Sequence, residues 1–260
     1  MKDITVIKIG GSTFGSGDTA IEDIAALQKK KHLMVVVHGG GSTVTDWLKR
    51  QGIGTKFVRG ERVTDLPSLA VVTAVLAGLV NKDIAAAINI NGGRAVGISG
   101  VDGALIESRV KDKELGYVGS TEKVNTDILE TLLKAGYVPV VSPISLYSLD
   151  RQADDPGVIN VNGDPIAGEI AMALKAKRLI YLTDVEGIKD KFGKVLPQVS
   201  KAEAEDLITS LIIVGGMIPK VNACLKALKS GITTRIIDGR KPHTLLKELE
   251  GGDGGTTIIK

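Results

Sequence analysis

Short runs of Ile, Val and Leu alternate along this chain with longer segments whose apolar positions recur every three or four residues. The short runs at 4–9, 33–37, 95–99, 138–142, 179–183 and 234–238 predict strands. The periodic segments at 20–30, 42–51, 66–80, 128–135, 165–176, 202–207, 218–230 and 243–248 predict helices. Strand and helix take turns, and the strands read as nearly continuous β-branched runs. That pattern predicts an α/β fold whose mainly parallel sheet is covered on both faces. Two stretches break the rhythm. Residues 55–63 place a glycine between short β-prone runs and predict a hairpin, and residues 103–120 suggest a small antiparallel excursion. No tandem repeat interrupts the chain. The 260 residues are expected to form one domain with a soft boundary near 176, giving an N-lobe (1–176) and a C-lobe (177–260).

Composition narrows the function classes. Hydrophobic residues make up 43% and aromatics only 3%, so the core must be aliphatic. A net charge of +3, with no basic stripe interleaved with aromatics, argues against a nucleic-acid partner. Cys224 is the single cysteine, which rules out an intramolecular disulfide and a cysteine metal cluster; its helical spacing from Val221, Leu225 and Leu228 suggests a buried thiol. Residues 1–3 lead straight into the first strand. With no signal peptide and no apolar run judged long enough to span a bilayer, a cytoplasmic location and no membrane association are the expectation.

The chemistry sits at strand ends and helix starts. Lys8-Ile9-Gly10-Gly11-Ser12 ends the first strand, where ligands of parallel sheets gather; it suits either an anion cradle or a tight turn with a solvated lysine. His38-Gly39-Gly40-Gly41-Ser42 opens a helix with three bare amides, which favours an anionic ligand, while His38 itself reads as a packed strand end. Asn160-Val161-Asn162-Gly163-Asp164-Pro165 leads into another helix, where Asp164 as N-cap is already a sufficient structural explanation. Thr183-Asp184-Val185-Glu186-Gly187-Ile188 follows a strand, and Gly215-Gly216-Met217-Ile218-Pro219-Lys220 opens a helix with a lysine in its first turn. Neither a Walker-type phosphate loop nor the Gly-x-Gly-x-x-Gly dinucleotide fingerprint is present, and no acid ends the second strand, which disfavours a nicotinamide dehydrogenase.

In this order and spacing, and together with Gly60-Glu61-Arg62-Val63-Thr64-Asp65, residues 76–82, Gly97 to Gly103, Gly116 to Gly119 and Ile237 to Arg240, the motifs resemble the amino acid kinase family. Within it they are most similar to the branch that phosphorylates N-acetyl-L-glutamate. The resemblance runs from Lys8 to about Ile258. It implies a three-layer αβα sandwich and transfer of the ATP γ-phosphate to a carboxylate, a step of arginine biosynthesis. By the same resemblance Lys8, Lys220 and Asp164 are catalytic, with Asp164 organising the two lysines. Gly11, Gly40, Gly41, Arg62 and Asn160 hold the acyl amino acid. Lys8, Gly10, Gly11, Thr183, Asp184, Val185, Gly187, Ile188, Ile213, Gly216, Met217 and Lys220 face ATP. No protein metal ligand is implied, and Mg2+ travels with the nucleotide.

Gly163 replaces the alanine usual in its motif, and Gly215 and Pro219 are less typical neighbours of Lys220. Gly163 is reminiscent of relatives that act on an aminoadipate or glutamate attached to a carrier protein, which stands as the alternative acceptor. From another class, a non-catalytic nucleotide and amino-acid sensor is the rival reading. The resemblance further implies a homodimer with weak or absent arginine inhibition, since only seven residues precede Lys8, and it leaves a PII-type regulatory partner open. An acceptor carboxylate is ionised at neutral pH, its unperturbed pKa being about 4.3. The absence of an evident general base therefore fits the chemistry.

Overall fold

The computed structural model describes residues 3–10, 19–252 and 254–260. Their order is β1 (Ile4–Ile9), α1 (Ala20–Lys29), β2 (Leu33–His38), α2 (Gly41–Arg50), β3 (Phe57–Val58), β4 (Glu61–Arg62), α3 (Leu66–Thr73), α4 (Asn81–Ile90), β5 (Ala95–Ser99), β6 (Ile106–Val110), β7 (Val118–Val124) and α5 (Asp127–Lys134). There follow β8 (Val138–Ser142), β9 (Ile144–Tyr147), β10 (Val158–Val161), α6 (Gly163–Ala173), β11 (Arg178–Thr183), β12 (Gln198–Ser200), α7 (Lys201–Thr209), α8 (Met217–Lys229), β13 (Thr233–Asp238), α9 (Thr244–Leu249) and β14 (Thr256–Ile259).

An eight-stranded sheet in the order β12-β14-β13-β11-β1-β2-β8-β5 runs through the centre. The six strands from β13 to β5 are parallel, and β14 pairs antiparallel to β13 and parallel to the edge strand β12. Strand alternation splits the core in two. Ile4 and Val6 of β1 and Val35 and Val37 of β2 face one apolar cluster, filled by α5, α6 and α8. Ile7, Ile9, Met34 and Val36 face the other, filled by α1, α2, α3, α4 and α9. This is the expected three-layer α/β sandwich.

The register aligns the carboxyl ends: Ile9 stands beside His38 on one side and Leu182 on the other. The carboxyl ends of β1, β2 and β11 thus meet at one rim. The excursion after β5 is larger than the sequence suggested, because β6, β7, β9 and β10 close into a small barrel. The hairpin β3–β4 turns at Arg59 and Gly60, both with positive φ, and is anchored by the bridge between Thr64 and Gly116.

The helix expected to end at Val80 continues. A π-helical segment, Ala74–Val80, joins α3 to α4 in one helix from Leu66 to Ile90. By length and composition alone its 25 residues are long and apolar enough to cross a membrane. In the fold one face packs on the sheet through Val72, Val75, Ile84 and Ile88, while Leu66, Leu79 and Ile90 on the other are exposed.

Candidate active site

Lys8 follows Ile4 and Val6 on the face of β1 covered by α6 and α8, so the period of the strand aims it between those helices. There Asp164 of α6 meets it: Lys8 Nζ lies 2.8 Å from Asp164 Oδ1, and Lys220 Nζ of α8 lies 3.0 Å from Oδ2. Among the described residues Oδ1 has this ion pair and no hydrogen bond beside it. Lys220 donates to Oδ2 and also to the Gly216 carbonyl at 3.0 Å. The side chains of Lys8 and Asp164 are only 8% and 6% exposed, so water screens them little. One carboxylate between two ammonium groups leaves a net positive centre suited to a polyanion.

The fold corrects the expected role of Asp164 at the helix start. Asn162 is the N-cap of α6, its side chain accepting from the Asp164 N–H at 2.9 Å. Asp164 is thereby free to turn inward, and Pro165 sits in the first turn, where its missing N–H costs nothing. Gly163 also has a local reason. A Cβ there would lie 3.1 Å from the His38 carbonyl oxygen and 3.7 Å from Lys8 Cε, so the bare backbone lets α6 start hard against β2.

Beside this centre opens a cavity of about 250 Å³ lined by Lys8, Gly40, Gly41, Arg62 and Asn160 together with apolar walls from Val72, Leu76 and Val118. Gly40 has a φ of 150°, and a Cβ on it would fall 2.7 Å from Leu76 Cδ2, so only glycine fits. The first turn of α2 begins at Gly41 with no side-chain cap, which leaves its N–H groups for a ligand. Arg62 stacks on Phe57, its Cζ 4.8 Å from the ring centroid, and donates to Gly41 O at 2.9 Å and Thr45 Oγ1 at 2.7 Å. These partners are neutral oxygens, and burial pulls its pKa below the usual value, so a carboxylate entering the cavity would meet an uncompensated guanidinium. Asn160 Nδ2 reaches Thr64 Oγ1 at 3.3 Å, which ties β10 to the foot of the hairpin.

His38 is wholly buried. Burial, chiefly, and the charges of Lys8 and Lys82 lower its pKa to about 4 against the pull of its bond to Gly39 O, so it is neutral at physiological pH. It packs at the strand end, as expected. Asn81, for which the sequence suggested no role, contacts it from α4. A polar residue amid the apolar period of residues 66–90 was the available signal.

The residues expected to face the nucleotide fall on the other side of Lys8. Thr183 ends β11 and its hydroxyl holds the turn that follows, bonding both the N–H (3.2 Å) and the carbonyl (2.9 Å) of Val185. Asp184, Val185, Gly187 and Ile188 continue this turn, where the Ile188 N–H donates to Thr256 Oγ1 at 2.9 Å. Ile188 and Ile213 share the apolar cluster under α8, Met217 packs against it, and Gly216 begins the helix that carries Lys220. Gly10 bridges the halves, its N–H donating to Leu182 O at 3.2 Å. Gly11 lies outside the described residues.

The model of the amino acid kinase family matches residues 3–238. An acetylglutamate kinase of Dehalococcoides mccartyi is 50% identical over 256 residues, which is 98% of this chain and 94% of that one. An acetylglutamate kinase of Cereibacter sphaeroides is 43% identical over 261 residues, 99% of this chain and 87% of that one. Among solved structures, N-acetylglutamate synthase from Neisseria gonorrhoeae, complexed with coenzyme A and N-acetyl-glutamate, has a TM-score of 0.83 at 25% identity, covering 99% of this chain and 59% of that one.

Proposed function

The chain belongs to the amino acid kinase family, and from that membership we propose that it transfers the γ-phosphate of ATP to the side-chain carboxylate of N-acetyl-L-glutamate, giving the acyl phosphate used in arginine biosynthesis. The observation that carries the reading is the Lys8–Asp164–Lys220 bridge, whose Lys8 lines a cavity together with Arg62 and bare glycine amides. The acetylglutamate kinases among its relatives supply the acceptor's name.

A carboxylate oxygen attacks Pγ, the bond from Pγ to the bridging oxygen breaks, and ADP leaves; no proton need move. The obstacle is repulsion between two anions, and the chain answers it with fixed positive charge. Arg62 and Asn160 hold the acyl amino acid with its side-chain carboxylate toward Lys8. Lys8 and the amides of Gly40 and Gly41 meet the transferring phosphoryl group. Lys220 meets the leaving side, and Asp164 keeps the two ammonium groups together by offsetting their repulsion. Thr183 to Ile188, Ile213, Gly216 and Met217 line the nucleotide, in keeping with an acceptor N-lobe and an ATP C-lobe. Mg2+ would come with the nucleotide phosphates, where it would offset their negative charge.

Gly163 gives little support to a carrier-linked acceptor, because the nearby His38 carbonyl already accounts for its missing side chain. The open apolar face of the 66–90 helix, with Leu79 and Ile90, supports a homodimer, which light scattering tests. A cytoplasmic site of action accords with this chemistry. An acceptor screen with MgATP tests the function: N-acetyl-L-glutamate should drive ADP release, while glutamate and carrier-linked glutamate or aminoadipate should not. Turnover of a carrier-linked substrate alone would replace the proposed acceptor, and no turnover with any acceptor would favour a sensor.

A further inference from the structure

We propose that Asn81 is a positioning residue: it selects the tautomer of His38 and so fixes the Gly39–Gly40 peptide at the wall of the acceptor cavity. The kinetic consequence rests on the phosphoryl-transfer reading above, whereas the tautomer rests on geometry alone.

Asn81 is the first residue of α4 and has no exposure. Its Nδ2 lies 2.9 Å from Val140 O, 3.1 Å from Ile98 O and 3.1 Å from His38 Nε2. The two carbonyls only accept, so the NH2 group must be at that end. At the other end Lys82 Nζ donates to Asn81 Oδ1 at 3.1 Å and is held in turn by Gly97 O at 2.7 Å. An ammonium only donates, so rotating the amide by half a turn would set donor against donor and acceptor against acceptors.

The two N–H groups are shared among three acceptors, Val140 O, Ile98 O and His38 Nε2, and the amide nitrogen has no lone pair to receive an Nε2–H at 3.1 Å, so with the amide locked the ring nitrogen facing it is the unprotonated one. A neutral imidazole in that state carries its proton on Nδ1, which lies 2.7 Å from Gly39 O and donates to it. The alternative tautomer would aim the Nδ1 lone pair at the same carbonyl and push it away. In a trans peptide C=O and N–H point in opposite directions. Holding the Gly39 carbonyl to the ring therefore fixes the Gly40 N–H on the opposite side, in the glycine run that lines the cavity with Lys8. The chain of orientation runs from Lys82 through Asn81 and His38 to the glycine loop. His38 thus serves as a permanently neutral donor, with no part in proton transfer.

The test has a spectroscopic arm and a kinetic arm. The chain has only three histidines, so nitrogen NMR of the full-length protein with 15N-labelled imidazoles can resolve His38. The expected signature is a neutral ring protonated at Nδ1 from pH 6 to pH 8, shifting toward the Nε2–H form in Asn81→Leu. In kinetics, Asn81→Leu should lower kcat about tenfold or more while leaving KM for N-acetyl-L-glutamate within about threefold, since Arg62 and Asn160 are untouched. Should Asn81→Leu fail to fold, two His38 variants carry the same question. His38→Asn keeps a donor near the Nδ1 position, and His38→Gln keeps only a partner for Asn81. The asparagine variant should retain at least about tenfold more kcat than the glutamine variant. An Nε2–H tautomer in the unmodified protein, an unchanged kcat in a folded Asn81→Leu, or the reverse ranking of the His38 pair would overturn the proposal. Absence of any kinase activity would refute the functional reading, and the NMR tautomer would still decide this one.

Discussion

Two polar clusters flank the carboxyl end of β1–β2, one on each face of the sheet, and they solve burial in opposite ways. On the α6–α8 side Lys8 and Lys220 share the one carboxylate of Asp164, so the cluster holds one more basic group than acidic. On the α4 side His38 and Asn81 are neutral, and their hydrogen bonds close on backbone carbonyls at Gly39, Ile98 and Val140. A buried network left with surplus charge is costly unless a ligand completes it, whereas a satisfied neutral one rigidifies its surroundings. The difference separates a cluster that reacts from one that holds the reacting groups in place.

Breaking the charged side should have the largest effect. Lys8→Ala and Lys220→Ala should each lower kcat by roughly 100- to 1,000-fold with much smaller changes in substrate KM, because each removes charge that matters most as the phosphoryl group moves. Steady-state kinetics with both substrates varied checks this. Near-normal turnover in Lys8→Ala would remove the basis of the contrast.

Next comes Arg62, which touches the cavity but not the lysine bridge. Arg62→Ala should raise KM for the acyl amino acid by roughly 10- to 100-fold, the worth of a charge-assisted pair, with a smaller fall in kcat. Equal losses in kcat and KM for ATP would instead place Arg62 with the charged cluster.

The neutral side is sharpened by a measurement of stability rather than rate. The unfolded chain protonates His38 near 6.5, while the folded one resists until about 4. Between those values the unfolded state binds the extra proton, so His38 contributes stability fully above pH 6.5 and loses it as pH falls toward 4, by about 3 kcal/mol in total. Urea unfolding of the unmodified protein and of His38→Asn across that range should show a shallower pH slope in the variant. Identical slopes would mean that His38 is not held neutral.

Much of this arrangement was legible in the chain. The alternation of β-branched runs with helical periods yielded the parallel sheet, and strand period alone aims Lys8 at the face where α6 and α8 lie. The meeting of Lys8, Asp164 and Lys220 was not derivable from local pattern, because it depends on how three separate elements pack; the resemblance supplied it. Asp164 read as an N-cap because Asp and Asn both cap helices, and only the fold shows Asn162 taking that place. Asn81 was invisible as a functional residue for a related reason. The polar trio Asn81-Lys82-Asp83 interrupts an apolar period and reads as a helix end, yet the helix continues to Ile90 with Asn81 turned into the core. The small barrel was under-read because β9 and β10 are four residues each and gain their pairing from strands distant in sequence.

The central claim, transfer of phosphate from ATP to the carboxylate of N-acetyl-L-glutamate, is most directly tested by trapping the product. Acyl phosphates react with hydroxylamine to give hydroxamates, so the unmodified chain incubated with MgATP, N-acetyl-L-glutamate and hydroxylamine should form hydroxamate and ADP in equal amounts. ADP without hydroxamate, or neither product, would contradict the account.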